Sequence, residues 1–354
     1  MDRRERIARG RYLVTGGAGF IGSSFVRHLR ARFPEAPVTV LDKLTYAGNP
    51  ANLAEFEGRP GYAFVHGDIC DRERVRELLS TGFDWVLNFA AETHVDRSIG
   101  EPGQFVLTDM YGVYALLEAV REFPVTRFVQ ISTDEVYGEV LGDPVDEQAP
   151  LLPRNPYAAS KAGGDRLAYA YFATYGLPVV VTRCCNNYGP YQYPEKLIPL
   201  FVTNAMEERS LPVYGSGRNR RDWIHVQDHV EALMAILQAE GVEGEVFNIG
   251  AYNEKDVLVI ADLILEALGK PKSLLAHVVD RPGHDRRYAI DWGRLERATG
   301  WRPRIAFAEG IRETVQWYQE HADWWRPLKT GEFWEFYRRN YKFLDRGDSG
   351  VKSS

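Results

Sequence analysis

The 354-residue sequence predicts an α/β fold, a Rossmann-like doubly wound parallel sheet with a smaller, mainly helical C-terminal substrate-binding lobe. Two observations carry this. Short apolar runs alternate with helical patterns through the first half, as buried parallel strands and their crossover helices require. After about residue 190 the texture changes: Pro190, Pro194, Pro199 and Pro212 interrupt the chain, and Gly215 and Gly217 mark a turn. Ligands of such sheets bind outside the carboxyl ends of the strands, so the second lobe should roof that edge.

Residues 12–15 read as the first strand, and Ile21, Phe25 and Leu29 then recur as one apolar helix face. Strands follow at 38–41, 63–65 and 85–91, a helix at 105–120, a strand at 127–132, a long helix at 157–175 and a strand at 178–182. Beyond them come helical stretches at 226–239 and 255–268 and an aromatic-rich end at 311–343. The expected organisation is a dinucleotide-binding domain at 10–190, to which the chain crosses back later, and a substrate lobe at 191–343. Residues 1–9 and 346–354 read as flexible tails.

Composition narrows the function. With 43 basic and 49 acidic residues the net charge is −6, which argues against a nucleic-acid partner. No apolar run approaches the ~18 residues of a membrane span, and no signal-like segment appears. Cys70, Cys184 and Cys185 are too few for a disulfide framework and suit a reducing cytoplasm. His225 and His229 share an i, i+4 spacing without the glutamate of a metalloprotease helix. They read as a solvated or locally bonded pair, and no metal site is expected.

Three motifs carry chemistry. TGGAGFIG (15–22) follows a strand and opens an amphipathic helix, the context that makes a glycine-rich loop a pyrophosphate site. Glycines permit a sharp turn and close backbone approach, and the helix N-terminus favours the anion. Twenty residues after Gly22 stands Asp42, whose carboxylate can accept the adenosine ribose hydroxyls and repel a 2′-phosphate, favouring NAD over NADP. Asp68, at the third strand end, reads equally well as a ligand contact or as the cap of the next helix. Tyr157 and Lys161 lie four apart on one helix face, where an ammonium can lower the phenol pKa and make it a base. Asp134 and Glu135 close the fifth strand, and two adjacent carboxyls in a pocket can hold different protonation states.

These motifs, with DKLTYAGN (42–49), AAETHVDRSI (90–99), STDEVYG (132–138), YAASK (157–161), NNYGPYQYPEKLIPL (186–200), RDWIHVQDH (221–229) and DRPGHDRRYAID (280–291), resemble the extended short-chain dehydrogenase/reductases. Within them the resemblance is to the dTDP-glucose 4,6-dehydratases, over about residues 10–343. It implies that Tyr157, tuned by Lys161, deprotonates the glucose 4-hydroxyl while hydride passes to NAD. Glu135 then takes the C5 proton, Asp134 protonates the departing 6-hydroxyl, and Thr133 holds the 4-oxygen. It further implies NAD contacts from Gly16, Gly19, Phe20, Ile21, Gly22, Asp42, Lys43, Leu44, Thr45, Asp68, Ile69, Ala90, Ala91, Thr108, Tyr157, Lys161 and Asn187. The sugar nucleotide, dTDP-glucose, falls to Thr93, Thr133, Asn186, Lys196, Leu197, Pro212, Tyr214, Arg221, Arg281 and His284. A homodimer through the helices at 105–120 and 157–175 is also implied.

The chain departs from the family's usual pattern at three places. Thr93 stands where Ser is usual, Val257 where Asn is frequent, and Gly163-Gly164 where Ser-Ser is frequent. The two glycines weaken a helix by roughly 1 kcal/mol each, and close helix packing at a dimer interface is the expected compensation. A nucleotide-sugar 4-epimerase or a UDP-glucuronate decarboxylase would share the glycine loop, Tyr157 and Lys161, but the Asp134-Glu135 pair argues against both. A non-catalytic protein retaining the dinucleotide lobe would show eroded catalytic positions, and these are intact.

Overall fold

A computed structural model describes residues 3–341. Its centre is a seven-stranded, wholly parallel sheet. In chain order the first six strands are β1 (Tyr12–Thr15), β2 (Val38–Asp42), β3 (Tyr62–His66), β4 (Trp85–Asn88), β5 (Arg127–Thr133) and β6 (Val179–Cys184), and the last is Val246–Ile249. In space they run Val246–Ile249, β6, β5, β4, β1, β2, β3. The order reverses between β1 and β4, the switch point at which such sheets open a crevice. β1, β4, β5 and β6 are buried at every position, which explains why apolar residues dominate them. One apolar core gathers Val14, Phe25, Val40, Leu87 and Val180, the other Leu13, Leu41, Val86, Phe128 and Val179, so neighbouring residues of a strand serve opposite faces.

The second lobe has its own core of Phe201, Leu211, Ile260, Ile264, Ile311 and Tyr318, contributed mainly by helices Leu197–Met206, Val257–Leu268 and Phe307–Glu320. Three two-stranded pairs tie it together, among them Leu275–Val278 beside Leu211–Tyr214. Between these segments the chain returns to the main sheet through helix Val226–Gln238 and strand Val246–Ile249. No helix among the described residues is long and apolar enough to cross a membrane.

Four expectations are met differently in the structure. Residues 3–9 are not a tail: they form helix Arg3–Arg9, with Ile7 fully buried. The Tyr12 hydroxyl donates to the Ile7 carbonyl at 2.8 Å, Arg3 donates to Leu237 O at 2.9 Å, and its guanidinium lies over Trp85. The single helix expected at 105–120 is three pieces, Pro102–Val106, a π-helical turn Leu107–Gly112, and Val113–Glu122. Gly163 and Gly164 are explained within the chain. A Cβ on Gly163 would strike the Met110 side chain at 2.6 Å, and one on Gly164 would strike the Asp109 carbonyl oxygen. The two glycines seat the π turn. His225 and His229 are both buried rather than solvated: the first caps its helix, and the second bonds Asn187 Oδ1 at 2.8 Å. The expected tail at 346–354, and positions 342 and 343 of the aromatic end, lie outside the described residues.

Candidate active site

The carboxyl ends of β1 to β6 open into a cavity of about 280 Å³. Its floor is backbone. Gly16 has φ +67°, and a Cβ there would lie 2.5 Å from Ala90 N; one on Gly22 would lie 2.5 Å from Gly16 O. Only glycine fits a chain that turns this sharply against its neighbours. Gly19 precedes helix Phe20–Arg32 and supplies no side-chain cap, so the first N–H groups remain for an anion. This cradle fits a pyrophosphate.

Asp42 organises the adjoining edge. Its Oδ2 accepts from Ala18 N at 2.9 Å and its Oδ1 from Leu44 N at 2.8 Å. Burial raises its pKa against those two donors. Lys43 reaches Asp68 Oδ2 at 2.7 Å, so its ammonium already has a carboxylate partner. Burial alone would raise the Asp68 pKa; the Lys43 ammonium and the Cys70 N–H outweigh it and hold the carboxyl low. Asp68 is not the helix cap, because Asp71 caps Arg72–Ser80 through Arg74 N. Asp68 lines the cavity instead.

The catalytic candidates share the cavity. Thr133 ends β5, and its Oγ1 accepts from Glu135 N at 3.3 Å, capping the short turn Asp134–Tyr137. Asp134 is buried, and its Oδ2 has no hydrogen-bond partner. Burial first, then the adjacent Glu135, pushes its pKa well above the ordinary carboxyl value, in the direction that favours the protonated acid. Glu135 Oε2 stands 3.4 Å from Asn155 Nδ2 and 3.3 Å from the Tyr288 hydroxyl. Behind the turn, Arg183 donates to the Tyr137 hydroxyl at 2.7 Å and grips Asp165 with two bonds of 2.8 and 3.0 Å. Asp165 sits on helix Pro156–Tyr175, so this buried pair locks the acidic turn to the helix bearing Tyr157 and Lys161.

On that helix Tyr157 and Lys161 both line the cavity. Lys161 Nζ donates to the Ile131 carbonyl at 2.6 Å. The Tyr157 phenol is held well above its ordinary pKa by burial, then by Glu135 and Asp109, with the Thr133 hydroxyl pulling the other way.

A charged cluster lies beside Glu135 in the second lobe. Arg281 donates to Asp96 Oδ1 at 3.0 Å, and the Tyr214 hydroxyl donates to Asp96 Oδ2 at 3.1 Å. Arg221 stacks on Tyr288, 4.2 Å from its ring centre, and donates to Asp285 O at 2.9 Å. Lys196 donates to Thr93 O at 2.6 Å. His284 bonds Asp280 at 2.6 Å; burial and Arg281 push its imidazole down to about 4, so it is neutral near pH 7.

The chain matches the family model described as GDP-mannose 4,6 dehydratase over residues 13–314. A dTDP-glucose 4,6-dehydratase of Streptomyces niveus is 53% identical over 90% of this chain and 96% of its own. The dTDP-glucose 4,6-dehydratase 1 of Escherichia coli K12 is 46% identical over 93% and 98%. The crystal structure of DesIV, a dTDP-glucose 4,6-dehydratase from Streptomyces venezuelae solved with NAD and a second ligand, superposes with a TM-score of 0.87 at 50% identity, covering 90% of this chain and 100% of that one. The chain belongs to the dTDP-glucose 4,6-dehydratase family.

Set against what the family resemblance implied, the cavity gathers every expected cofactor residue except Leu44. Leu44 turns through φ +54° and offers its N–H to Asp42. Asn187 reaches the cavity with its side chain spoken for, its Nδ2 donated to Cys185 O and its Oδ1 bonded to His229. Thr93, Thr133, Asn186 and Lys196 line it; Leu197, Pro212, Tyr214, Arg221, Arg281 and His284 do not. The last four form the separate charged cluster beside Glu135. Sequence reasoning missed Tyr46, Glu92 and Tyr193 on the cavity wall and the anchoring residues Asp96, Asn155 and Tyr288. Glu92 and Asp96 were the most readable of these, as the two acids within AAETHVDRSI.

Proposed function

We propose that this protein dehydrates dTDP-glucose to dTDP-4-keto-6-deoxyglucose, with NAD regenerated in each cycle. The observation that carries the reading is the pairing of a buried Asp134 with Glu135 on one short turn, in the same cavity as the glycine cradle and Tyr157–Lys161. NAD, when bound, takes a hydride from C4 of the glucose and returns it at C6. Gly16, Gly19, Gly22 and the first N–H groups of helix Phe20–Arg32 would hold its pyrophosphate, and Asp42 its adenosine ribose.

Tyr157 takes the proton of the 4-hydroxyl, and the Thr133 hydroxyl donates to the 4-oxygen as charge collects there. Lys161 stabilises the phenolate once it forms. The ketone at C4 acidifies the C5 hydrogen, which Glu135 removes. Asp134 gives its proton to the 6-oxygen, which departs as water, and Glu135, its proton exchanged with solvent, delivers a proton to C5. Lys196, Arg221 and Arg281 supply positive charge to the diphosphate, the guanidiniums as bidentate forks. Neutral His284 offers a hydrogen bond.

We further assign the protein to the cytoplasm, consistent with three free cysteines, and read it as a homodimer. Exposed Val106, Leu107, Met110, Tyr111, Tyr169 and Tyr175 lie on the segments expected at the helical interface. Sedimentation of a Leu107→Glu, Tyr111→Glu variant should show a monomer where the parent is a dimer.

The direct test of the chemistry is Asp134→Asn. It should still oxidise C4, seen as accumulating reduced-cofactor absorbance, while water loss falls by about 10²–10⁴-fold. Elimination at the parent rate would remove Asp134 from its role.

A further inference from the structure

The π turn Leu107–Gly112 places a buried carboxyl, Asp109, against the catalytic helix, and the mechanism above leaves it without a task. Three glycines make room for it. A Cβ on Gly112 would meet the Ile69 side chain at 2.5 Å, and Gly163 and Gly164 would meet Met110 and the Asp109 backbone. π turns recur at functional sites because the extra residue re-aims a side chain. Here the side chain aimed inward is an acid.

We propose that Asp109 is a positioning residue whose ionisation, relayed through Ser160, sets how readily Tyr157 gives up its proton. This rests on the reading of Tyr157 as the base for the 4-hydroxyl. Ser160 Oγ lies 2.7 Å from Asp109 Oδ2 and 2.8 Å from the Tyr157 carbonyl oxygen. It has one proton and two acceptors. When Asp109 is ionised, Ser160 donates to it. When Asp109 is protonated, its O–H can donate to Ser160 Oγ, and Ser160 then donates to the Tyr157 carbonyl at the start of the catalytic helix. The two forms differ in one proton on Asp109, in the direction of the Asp109–Ser160 bond and in whether the Ser160 proton goes to the Tyr157 carbonyl, with no change of fold.

The charged and titratable surroundings of Asp109 are few. Lys161 and Tyr157 face it from the catalytic helix. Glu92, itself raised by burial, approaches after β4, and its backbone N–H donates to Asp109 Oδ1 at 3.1 Å. Cys70, whose thiol burial pushes up to about 12, lies after β3. Burial drives the Asp109 pKa up to about 7 against the opposing pull of Lys161 and Ser160. It therefore changes charge across the neutral range, and its negative form raises the Tyr157 pKa. The phenol itself also faces Glu135 and Cys184.

The sign follows. The base is the phenolate, so C4 oxidation rises with pH through the Tyr157 pKa, and a negative Asp109 holds that limb at higher pH. Asp109→Asn keeps an acceptor for Glu92 N–H and a donor for Ser160 while removing the charge. Single-turnover reduction of bound NAD by dTDP-glucose, followed against pH, should show the acid limb moved down by about one unit, with the KM for dTDP-glucose within about 2-fold of the parent. Ser160→Ala leaves the acid but removes its donor, which makes Asp109 harder to ionise. It should move the limb the same way by less, and it serves as the second variant where Asp109→Asn folds poorly. A limb at the parent position in both variants, or a loss carried by KM alone, would overturn the proposal. Tyr157→Phe is the independent control: C4 oxidation that survives it would overturn the base assignment itself, whatever the Asp109 result.

Discussion

The two halves of the cavity recognise their ligands by different means. The dinucleotide half is made of backbone, with positive-φ glycine, uncapped N–H groups at a helix start, and strand ends in register. The other half, Lys196 on the cavity wall and the adjoining cluster of Arg221, Arg281 and neutral His284, is made of long polar side chains held in place by the Thr93 carbonyl, Asp96, Asp280 and the Asp285 carbonyl. A backbone cradle is set by local chain geometry and tolerates no side chain. A charged cluster is set by tertiary packing, and each member needs a partner before ligand arrives, because an unpaired buried charge is costly. The first half should fail abruptly on adding one methyl group; the second should fail residue by residue.

The largest expected effect lies beneath both halves. Asp165→Ala leaves the Arg183 guanidinium, 1% exposed, without its bidentate partner, and should lower stability by about 3–5 kcal/mol in denaturant unfolding. Because the pair locks the acidic turn to the Tyr157 helix, NAD and dTDP binding should weaken together. Loss of one alone would show that the halves do not share this floor.

Gly16→Ala comes next. It puts a Cβ against Ala90 N in a left-handed conformation, and combined strain and overlap of about 3 kcal/mol predict at least 100-fold weaker NAD in calorimetry. Binding of dTDP should be spared. Arg281→Ala should do the converse, weakening dTDP by about 30-fold, or about 2 kcal/mol, with NAD affinity kept. If either variant lost both ligands equally, the division of labour would be wrong.

The smallest effect is thermodynamic. The folded Asp134 pKa is raised, so the folded state binds more protons than the unfolded one above the unfolded pKa, and this site's contribution to stability falls as pH rises. Asp134→Asn should remove that slope. Between pH 6 and pH 7 its stability relative to the parent should improve by at most about 1.4 kcal/mol. A difference that is flat with pH would place the ionised form of Asp134 in the folded protein.

The contrast between the halves also explains what was legible. TGGAGFIG, YAASK and STDEVYG are contiguous, so sequence spacing alone put their residues on one loop, one helix face and one strand end. The strands were readable because burial on both faces favours apolar residues. Arg281 and Asp96 are 185 positions apart, and no local pattern announces their pairing; Arg221 and His284 were reachable only through the family resemblance. The helix at 3–9 was missed because its five nearby arginines hide a single buried Ile7, held by Tyr12 and Trp85 from elsewhere in the fold. The π turn was missed because an extra residue leaves the helical apolar pattern almost unchanged. Gly163-Gly164 carried its signal, and within the chain its close neighbours are Met110 and Asp109.

The central claim is that Glu135 and Asp134 divide the elimination between them. The most direct measurement is mass spectrometry of dTDP-glucose incubated with the protein and NAD in deuterated water. The account predicts a product lighter by one water with deuterium at C5, and neither feature with Glu135→Gln. A sugar nucleotide recovered without water loss, or isomerised at constant mass, would contradict it.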